Sequence, residues 1–117
     1  MAPLAPLYEA IVGDWGGVHI GAHFTTSGAT LDYDCASGTI DEQVIPGRDG
    51  RFGALGTHSP GHGGPVRIDE RPVRLAARYA GRVEGDRMTL SATLDNGTPL
   101  GPFVLIRGGE ARIMRCL

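Results

Sequence analysis

The chain of 117 residues contains 19 glycines and 8 prolines, and its formal charge at pH 7 is −2. This length fits a single domain, and glycine and proline spaced between short apolar runs favour an all-β fold over a helical one. A charge this close to zero argues against nucleic acid as a partner, because nucleic-acid-binding domains usually carry a basic excess.

The sequence also lacks the patterns of a membrane or export segment. No stretch reaches the 18 apolar residues of a membrane-spanning helix. Residues 1–14 have neither the basic start nor the long apolar run of a secretory signal. We therefore expect no membrane span and no signal peptide in these residues, and we interpret residues 1–12 as an N-terminal arm.

Alternating apolar and polar residues mark the first half of the chain. The alternation runs through residues 18–24 and, after the turn TTSG, through residues 29–35. A period of two with one polar face is typical of half-buried antiparallel strands. Residues 39–45 and 51–57 form weaker patterns of the same kind, separated by the turn PGRDG.

The second half begins with a connection and continues with four more strands. Residues 58–73 contain three prolines and three glycines and form the only long loop that the sequence predicts. Turns at EGD, DNG and GGE then separate four strand patterns, which cover residues 75–82, 88–94, 100–107 and 111–116.

The pattern at 75–82 also fits a helix over residues 70–84, because three arginines there recur every four residues. An internal glycine and the EGD turn that follows favour the strand. Eight strands joined mostly by tight turns predict an antiparallel up-and-down β-barrel, since closure leaves no strand edge unpaired. The whole chain, 1–117, is then one barrel domain.

The stretch GDWGG places the only tryptophan of the chain among glycines. If the first and last predicted strands pair antiparallel, Trp15 lies beside Arg115, and a guanidinium on the indole face would contribute about 0.5 to 2 kcal/mol and seal that end. Residues 15 and 18 are three positions apart, so in a regular strand their side chains point to opposite faces. Both can point inward only if a β-bulge lies between them. Gly16 and Gly17 are where a bulge costs least.

Gly13, Asp14 and Trp15 resemble the Gly-x-Trp motif with which the calycin superfamily, comprising lipocalins, avidins and fatty-acid-binding proteins, begins its first strand. Many lipocalins pack a late arginine on that tryptophan, and the resemblance assigns this role to Arg115. Lipocalins carry their longest loop at the mouth opposite the tryptophan, whereas the predicted strand directions place loop 58–73 at the same end as Trp15. The ending Arg-Cys-Leu is also similar to that of some small bacterial proteins.

The two cysteines, Cys35 and Cys116, end predicted strands that run in the same direction on either side of the first strand. Two strand spacings are about 9.6 Å, too far for a disulfide unless the chain ends converge. Gly16 and Gly17 leave space between them, which favours a bridge. Closing a loop of about 80 residues would stabilise the fold by roughly 4 kcal/mol and indicate an extracytoplasmic protein. Two separate buried thiols are the alternative.

His58 and His62 belong to the predicted long loop and reach the same rim as the cysteines. Together with Cys35 and Cys116 they would supply the ligand types of a zinc site. No CxxC motif occurs and the spacing fits no standard zinc module, so we expect neither a metal nor another cofactor. Both loop imidazoles are interpreted as solvated.

His19 and His23 lie on the polar face of the first predicted strand, and we expect them to face solvent. The alternative turns this face inward and groups them with Asp32 and Asp34 as an acid and base cluster. The continuous apolar faces of the later strands favour the first arrangement.

The favoured function is binding of an apolar or amphipathic small molecule inside the barrel. Small inward residues, mostly alanine and glycine, leave room for a ligand, although an eight-stranded barrel is narrow enough for its side chains to fill it. The predicted ligand-binding residues are Leu31, Tyr33, Leu75, Tyr79, Met88, Leu90 and Phe103.

Two other function classes stay open. One is a small enzyme that uses His58 and His62, with or without a metal, and Tyr33 or Tyr79 as a proton donor. The other is a protein-binding barrel, similar in architecture to periplasmic protease inhibitors, that acts through the long loop or the N-terminal arm. The sequence has no nucleophile elbow, phosphate loop or dinucleotide fingerprint to indicate a specific reaction.

Overall fold

The computed structural model describes residues 9–61 and 73–114. These residues form eight β-strands and no helix. The strands are β1 (Gly13–Gly17), β2 (Ile20–Thr25), β3 (Gly28–Tyr33), β4 (Ala36–Ile40), β5 (Arg51–Pro60), β6 (Leu75–Glu84), β7 (Arg87–Leu94) and β8 (Pro99–Arg107).

Each strand is antiparallel to the next, and β8 pairs with β1, so the sheet closes into a barrel. The all-β, eight-stranded antiparallel barrel that the sequence predicts is confirmed. The helix considered for residues 70–84 is wrong over its described part, because β6 pairs with β5 on one side and with β7 on the other. Alternate residues face the interior and form one core.

The first strand differs from the predicted one. GDWGG is itself β1, and Val18 and His19 connect it to β2, with His19 at a φ of 71°. Gly16 and Gly17 therefore end a strand, and the predicted bulge between Trp15 and Val18 is wrong. The chain reverses at this point because a two-residue turn that needs a positive φ separates two strands that the alternation alone did not divide.

Residues 108–114, which follow β8, lie on the outside of the barrel and are called the strap below. The strap runs parallel to β1. The Gly108 N–H donates to the Asp14 carbonyl oxygen at 2.7 Å, and the Arg112 N–H donates to the Gly17 carbonyl oxygen at 3.0 Å. The predicted last strand, 111–116, is therefore part of this strap over its described residues and does not close the barrel.

Two glycines explain why the strap fits there. Gly16 and Gly21 pair directly across β1 and β2 on the outer face of the sheet. A Cβ on Gly16 would collide with the Gly109 carbonyl oxygen, and one on Gly21 would lie 2.7 Å from the Ala111 Cβ. The glycines of GDWGG thus make room for backbone that crosses the outer surface.

The two ends of the barrel carry different connections. The end called the Trp15 end holds the β2–β3 and β6–β7 turns, the connection from β4 to β5 and the last residue of β8. The opposite end, called the Tyr33 end, holds the β1–β2, β3–β4 and β7–β8 turns, and β5 ends and β6 begins there. The prediction that the long loop shares an end with Trp15 is wrong, because the chain reverses at Val18 and His19 and each later strand therefore runs opposite to its predicted direction.

Candidate functional site

The Trp15 end is closed by packed side chains. Trp15 is 2% exposed, and the guanidinium carbon of Arg107 lies 4.5 Å from the centroid of its ring. The Arg107 Nε donates to Asp86 Oδ1 at 3.0 Å, which holds the guanidinium in this position. Ile11 and Val44 are buried in the same core and are joined by a backbone hydrogen bond of 2.8 Å.

An arginine does stack on the indole of Trp15, as predicted, but this arginine is Arg107. Arg107 is the last residue of β8 and pairs directly with Trp15 in the sheet. Arg115, to which the sequence assigned this role, lies outside the described residues. The assignment followed from taking residues 111–116 as the closing strand.

All seven residues predicted to bind a ligand belong to the barrel core or pack against it. Four of them are fully buried, namely Leu31, Tyr79, Met88 and Leu90. Tyr33 is nearly buried, whereas Leu75 and Phe103 are half-buried. Whether they contact a ligand stays a prediction, but the fold does bring them together.

A chain of hydroxyl groups crosses the interior at the Tyr33 end. The Tyr33 hydroxyl donates to the Tyr79 hydroxyl at 3.1 Å, and the Tyr79 hydroxyl donates to the Thr57 carbonyl oxygen at 2.8 Å. β4 has a glycine at this point because a Cβ on Gly38 would collide with the Tyr79 hydroxyl. Two phenols from opposite walls can therefore meet inside a narrow barrel.

His58 lies beside this pair inside the barrel. Its ring centroid is 5.3 Å from that of Tyr33 in an edge-to-face arrangement, and the Tyr33 ring is 5.4 Å from the ring of Phe103. His58 is 7% exposed, and its Nδ1 is buried without a hydrogen-bond partner among the described residues. Its interpretation as a solvated loop residue is wrong, because β5 continues through Pro60.

Burial shifts the acid–base behaviour of all three rings. Burial raises the pKa of Tyr33, and the neighbouring Tyr79 raises it further. Burial also raises the pKa of Tyr79; the hydrogen bond with Tyr33 partly offsets this increase, and the charge of Asp41 adds a smaller one. Burial lowers the pKa of His58, so its neutral form is favoured. The tyrosines are therefore weaker acids than free phenols, which does not support their role as proton donors.

His19 and His23 are outside the barrel, as expected. The His23 Nδ1 lies 2.7 Å from Asp14 Oδ1, and His19 forms an ion-pair contact with Asp34. Both imidazoles are more than half exposed. The alternative that turned this polar face inward is wrong, because β2 places Ile20, rather than a histidine, in the core.

The outer surface also carries a groove of about 240 Å³ between the strap and the first three strands. Its polar walls include Asp14, His23 and Asp32. Within residues 9–61 and 73–114, no group of three or more His, Cys, Asp or Glu side chains is placed to hold a metal ion. His62 and Cys116, two members of the zinc ligand set considered from the sequence, lie outside the described residues.

The strap leads towards Cys35 at the Tyr33 end. The Met114 N–H donates to Asp34 Oδ1 at 2.7 Å, and the Cys35 N–H donates to the Met114 carbonyl oxygen at 3.0 Å. Cys116, two residues further on, lies outside the described residues. The convergence of chain ends that the disulfide requires is therefore present up to Met114, and the bridge itself stays a prediction.

Sequence reasoning missed the burial of His58, although a signal for it was present. Phe52, Ala54 and Gly56 are the inward residues of β5, and the same period of two places His58 next in the series. Ending that strand at residue 57 removed the histidine from the interior. The contribution of the Thr57 carbonyl had no sequence signal, because it is a backbone group.

Comparisons with known family models, with curated proteins and with solved structures found no match to this chain. The closed eight-stranded antiparallel barrel is compatible with a calycin-like fold. Over the part of the chain that the structure describes, no helix is long and apolar enough to cross a membrane.

Proposed function

We propose that the barrel binds an apolar or amphipathic small molecule at the Tyr33 end of its interior. The observation that carries the proposal is the buried Nδ1 of His58, which has no hydrogen-bond partner among the described residues. A buried polar atom without a partner costs about 1 to 3 kcal/mol. A ligand group that pairs with this nitrogen would remove the cost, so binding and stability are coupled at this atom.

The surroundings of His58 support the same proposal. Tyr33 and Phe103 present aromatic rings to each other, and Leu75 and Leu100 pack against the core while keeping part of their surface exposed. Sites for small molecules are typically apolar with a few polar groups that orient the ligand. A bound apolar chain would cover the half-buried surface while its polar group reaches His58.

Thermal unfolding in the presence of a panel of apolar and amphipathic compounds tests the proposal. A compound present at about 100 times its dissociation constant stabilises the folded state by about 2.7 kcal/mol, which raises the melting temperature of a domain of this size by roughly 10 °C. If no compound in the panel raises it, the proposal is wrong.

A pair of variants on β8 tests the location of binding. Leu100→Trp adds bulk at the Tyr33 end, where Leu100 packs against the core. Val104→Trp adds the same side chain at an exposed position of the same strand, since Val104 is 43% exposed. We expect the first variant to lose the stabilisation by ligand and the second to keep it. Equal responses of the two variants would exclude the Tyr33 end as the site.

A further inference from the structure

We propose that the ligand of the Tyr33 end is uncharged and presents a hydroxyl group to His58 and Tyr33, so that the barrel prefers alcohols and phenols to carboxylic acids of the same chain length. This inference rests on the proposed function and specifies the chemical class of its ligand. Three observations carry it: the direction of the hydroxyl chain, the unpaired imidazole nitrogen and the charges around the interior.

The hydrogen-bond chain determines what Tyr33 can offer. Its proton is donated to the Tyr79 hydroxyl, and the proton of Tyr79 is donated to the Thr57 carbonyl oxygen. Because a carbonyl oxygen only accepts, the chain has a fixed direction. The Tyr33 oxygen is left with lone pairs and no spare proton. A ligand group at this oxygen must therefore be a donor, which a carboxylate is not.

The imidazole of His58 admits two tautomers, and a hydroxyl pairs with both. When Nδ1 carries no proton it accepts the single hydroxyl hydrogen, which then cannot reach Tyr33. When Nδ1 is protonated it donates to the hydroxyl oxygen, and the hydroxyl hydrogen is left for the Tyr33 oxygen, so this second form satisfies both residues. A carboxylate pairs only with the second form. Since the ring is buried against Tyr33 and the burial lowers its pKa, His58 provides no positive charge at neutral pH to balance an anion.

The charges around the interior also disfavour an anionic ligand. Among the buried side chains of residues 9–61 and 73–114, His58 is the only one that can carry a positive charge. The sequence has no lysine, and none of the described arginine side chains is buried. Arg107 is at the Trp15 end and paired with Asp86. The charge of Asp41 already disfavours an anion at Tyr79. An unpaired carboxylate in this place would keep the full cost of its desolvation.

The test compares three ligands that share one ten-carbon chain: 1-decanol, decanoate and decyl methyl ether. Affinities are measured by isothermal titration calorimetry at about pH 8, where the carboxylic acid is ionised. We expect decanoate to bind at least about tenfold more weakly than decanol, because its charge loses water without gaining a partner. We expect the ether, which has no donor, to bind several-fold more weakly than the alcohol.

Variants then show whether His58 and Tyr33 make the distinction. In His58→Phe and in Tyr33→Phe the preference for decanol over the ether should fall, while the exposed control His23→Phe should keep it. If His58→Phe does not fold, Tyr33→Phe still tests the inference. Decanoate binding as tightly as decanol overturns the inference and leaves the proposed function intact. Failure of all three ligands to bind overturns the proposed function itself.

Discussion

The two ends of the barrel bury aromatic side chains in different ways. At the Trp15 end, Arg107 covers the indole, and the aliphatic side chains of Ile11 and Val44 are buried in the same core. At the Tyr33 end, the aromatic rings are in contact with one another, but neighbouring apolar side chains such as Leu75 are only half-buried. One end is completed by the protein's own groups, and the other leaves apolar surface beside its polar atoms.

Each end also contains a buried nitrogen that has no hydrogen-bond partner within residues 9–61 and 73–114, namely Trp15 Nε1 and His58 Nδ1. The indole nitrogen can only donate, and a cation stacked on the ring covers this side chain. The imidazole nitrogen can donate or accept and lies beside a hydroxyl chain. The same kind of unsatisfied atom is therefore a cost within the packed end, and under the proposed function it is a point of recognition at the other.

Truncating one side chain at each end should show the difference in packing between the two ends most clearly. Trp15→Ala should lower the free energy of unfolding by about 3 to 5 kcal/mol, because a rigid and fully packed end cannot collapse into the space left. Leu75→Ala should cost only about 1 kcal/mol, since its side chain is already partly in water. Urea unfolding measures both. Equal losses would mean that the two ends are packed alike.

The next largest effect concerns the strap, which begins at the Trp15 end and reaches Cys35 at the Tyr33 end. We predict a disulfide between Cys35 and Cys116 that stabilises the fold by roughly 4 kcal/mol, because it closes a loop of about 80 residues in the unfolded chain. The double variant Cys35→Ser, Cys116→Ser should lose this stability, and the reduced wild type should match it.

Thiol titration of the denatured protein checks the disulfide directly. Without reductant, no thiol should react, and after reduction two should. Two reactive thiols before reduction would contradict the prediction and would make the two cysteines separate residues. The backbone hydrogen bond between Cys35 and Met114 would then be what fastens the strap at that end.

The sequence predicted the barrel well because its strands have one buried face. A period of two identifies inward residues such as Leu31 and Tyr79 without any knowledge of the partners of each strand. The period of two gives no information at glycines, because they have no side chain to show which face of the strand they occupy. Gly16 and Gly17 carry no signal of parity, so neither the turn after β1 nor the strap over those glycines could be predicted, and the arginine on Trp15 was assigned to the wrong strand.

The candidate site shows the same division. The inward position of Tyr33 follows from alternation, whereas its hydrogen bond to Tyr79 depends on the register of four strands and on the space left by Gly38. Non-local register is not encoded in any single segment. Only His58 could have been found by extending an existing pattern by one step.

The smallest predicted effect tests whether His58 weakens the fold in the absence of a ligand. His58→Phe removes the buried nitrogen that has no partner and keeps an aromatic ring beside Tyr33, so it should raise the free energy of unfolding at about pH 8 by roughly 1 kcal/mol. The stability advantage of the variant over the wild type should grow at lower pH.

The folded-state pKa of His58 is lower than the ordinary value of 6.5, so below about pH 6.5 the unfolded chain binds more protons than the folded one. The wild type therefore loses stability as the pH falls below about 6.5, by at most about 1.4 kcal/mol per pH unit. Urea unfolding between about pH 8 and pH 5 gives both quantities, with His23→Phe as the control for an exposed imidazole. A difference between wild type and variant that does not change over this range would mean that His58 titrates alike in the folded and unfolded chains, and its nitrogen would then be accessible to water rather than held for a ligand.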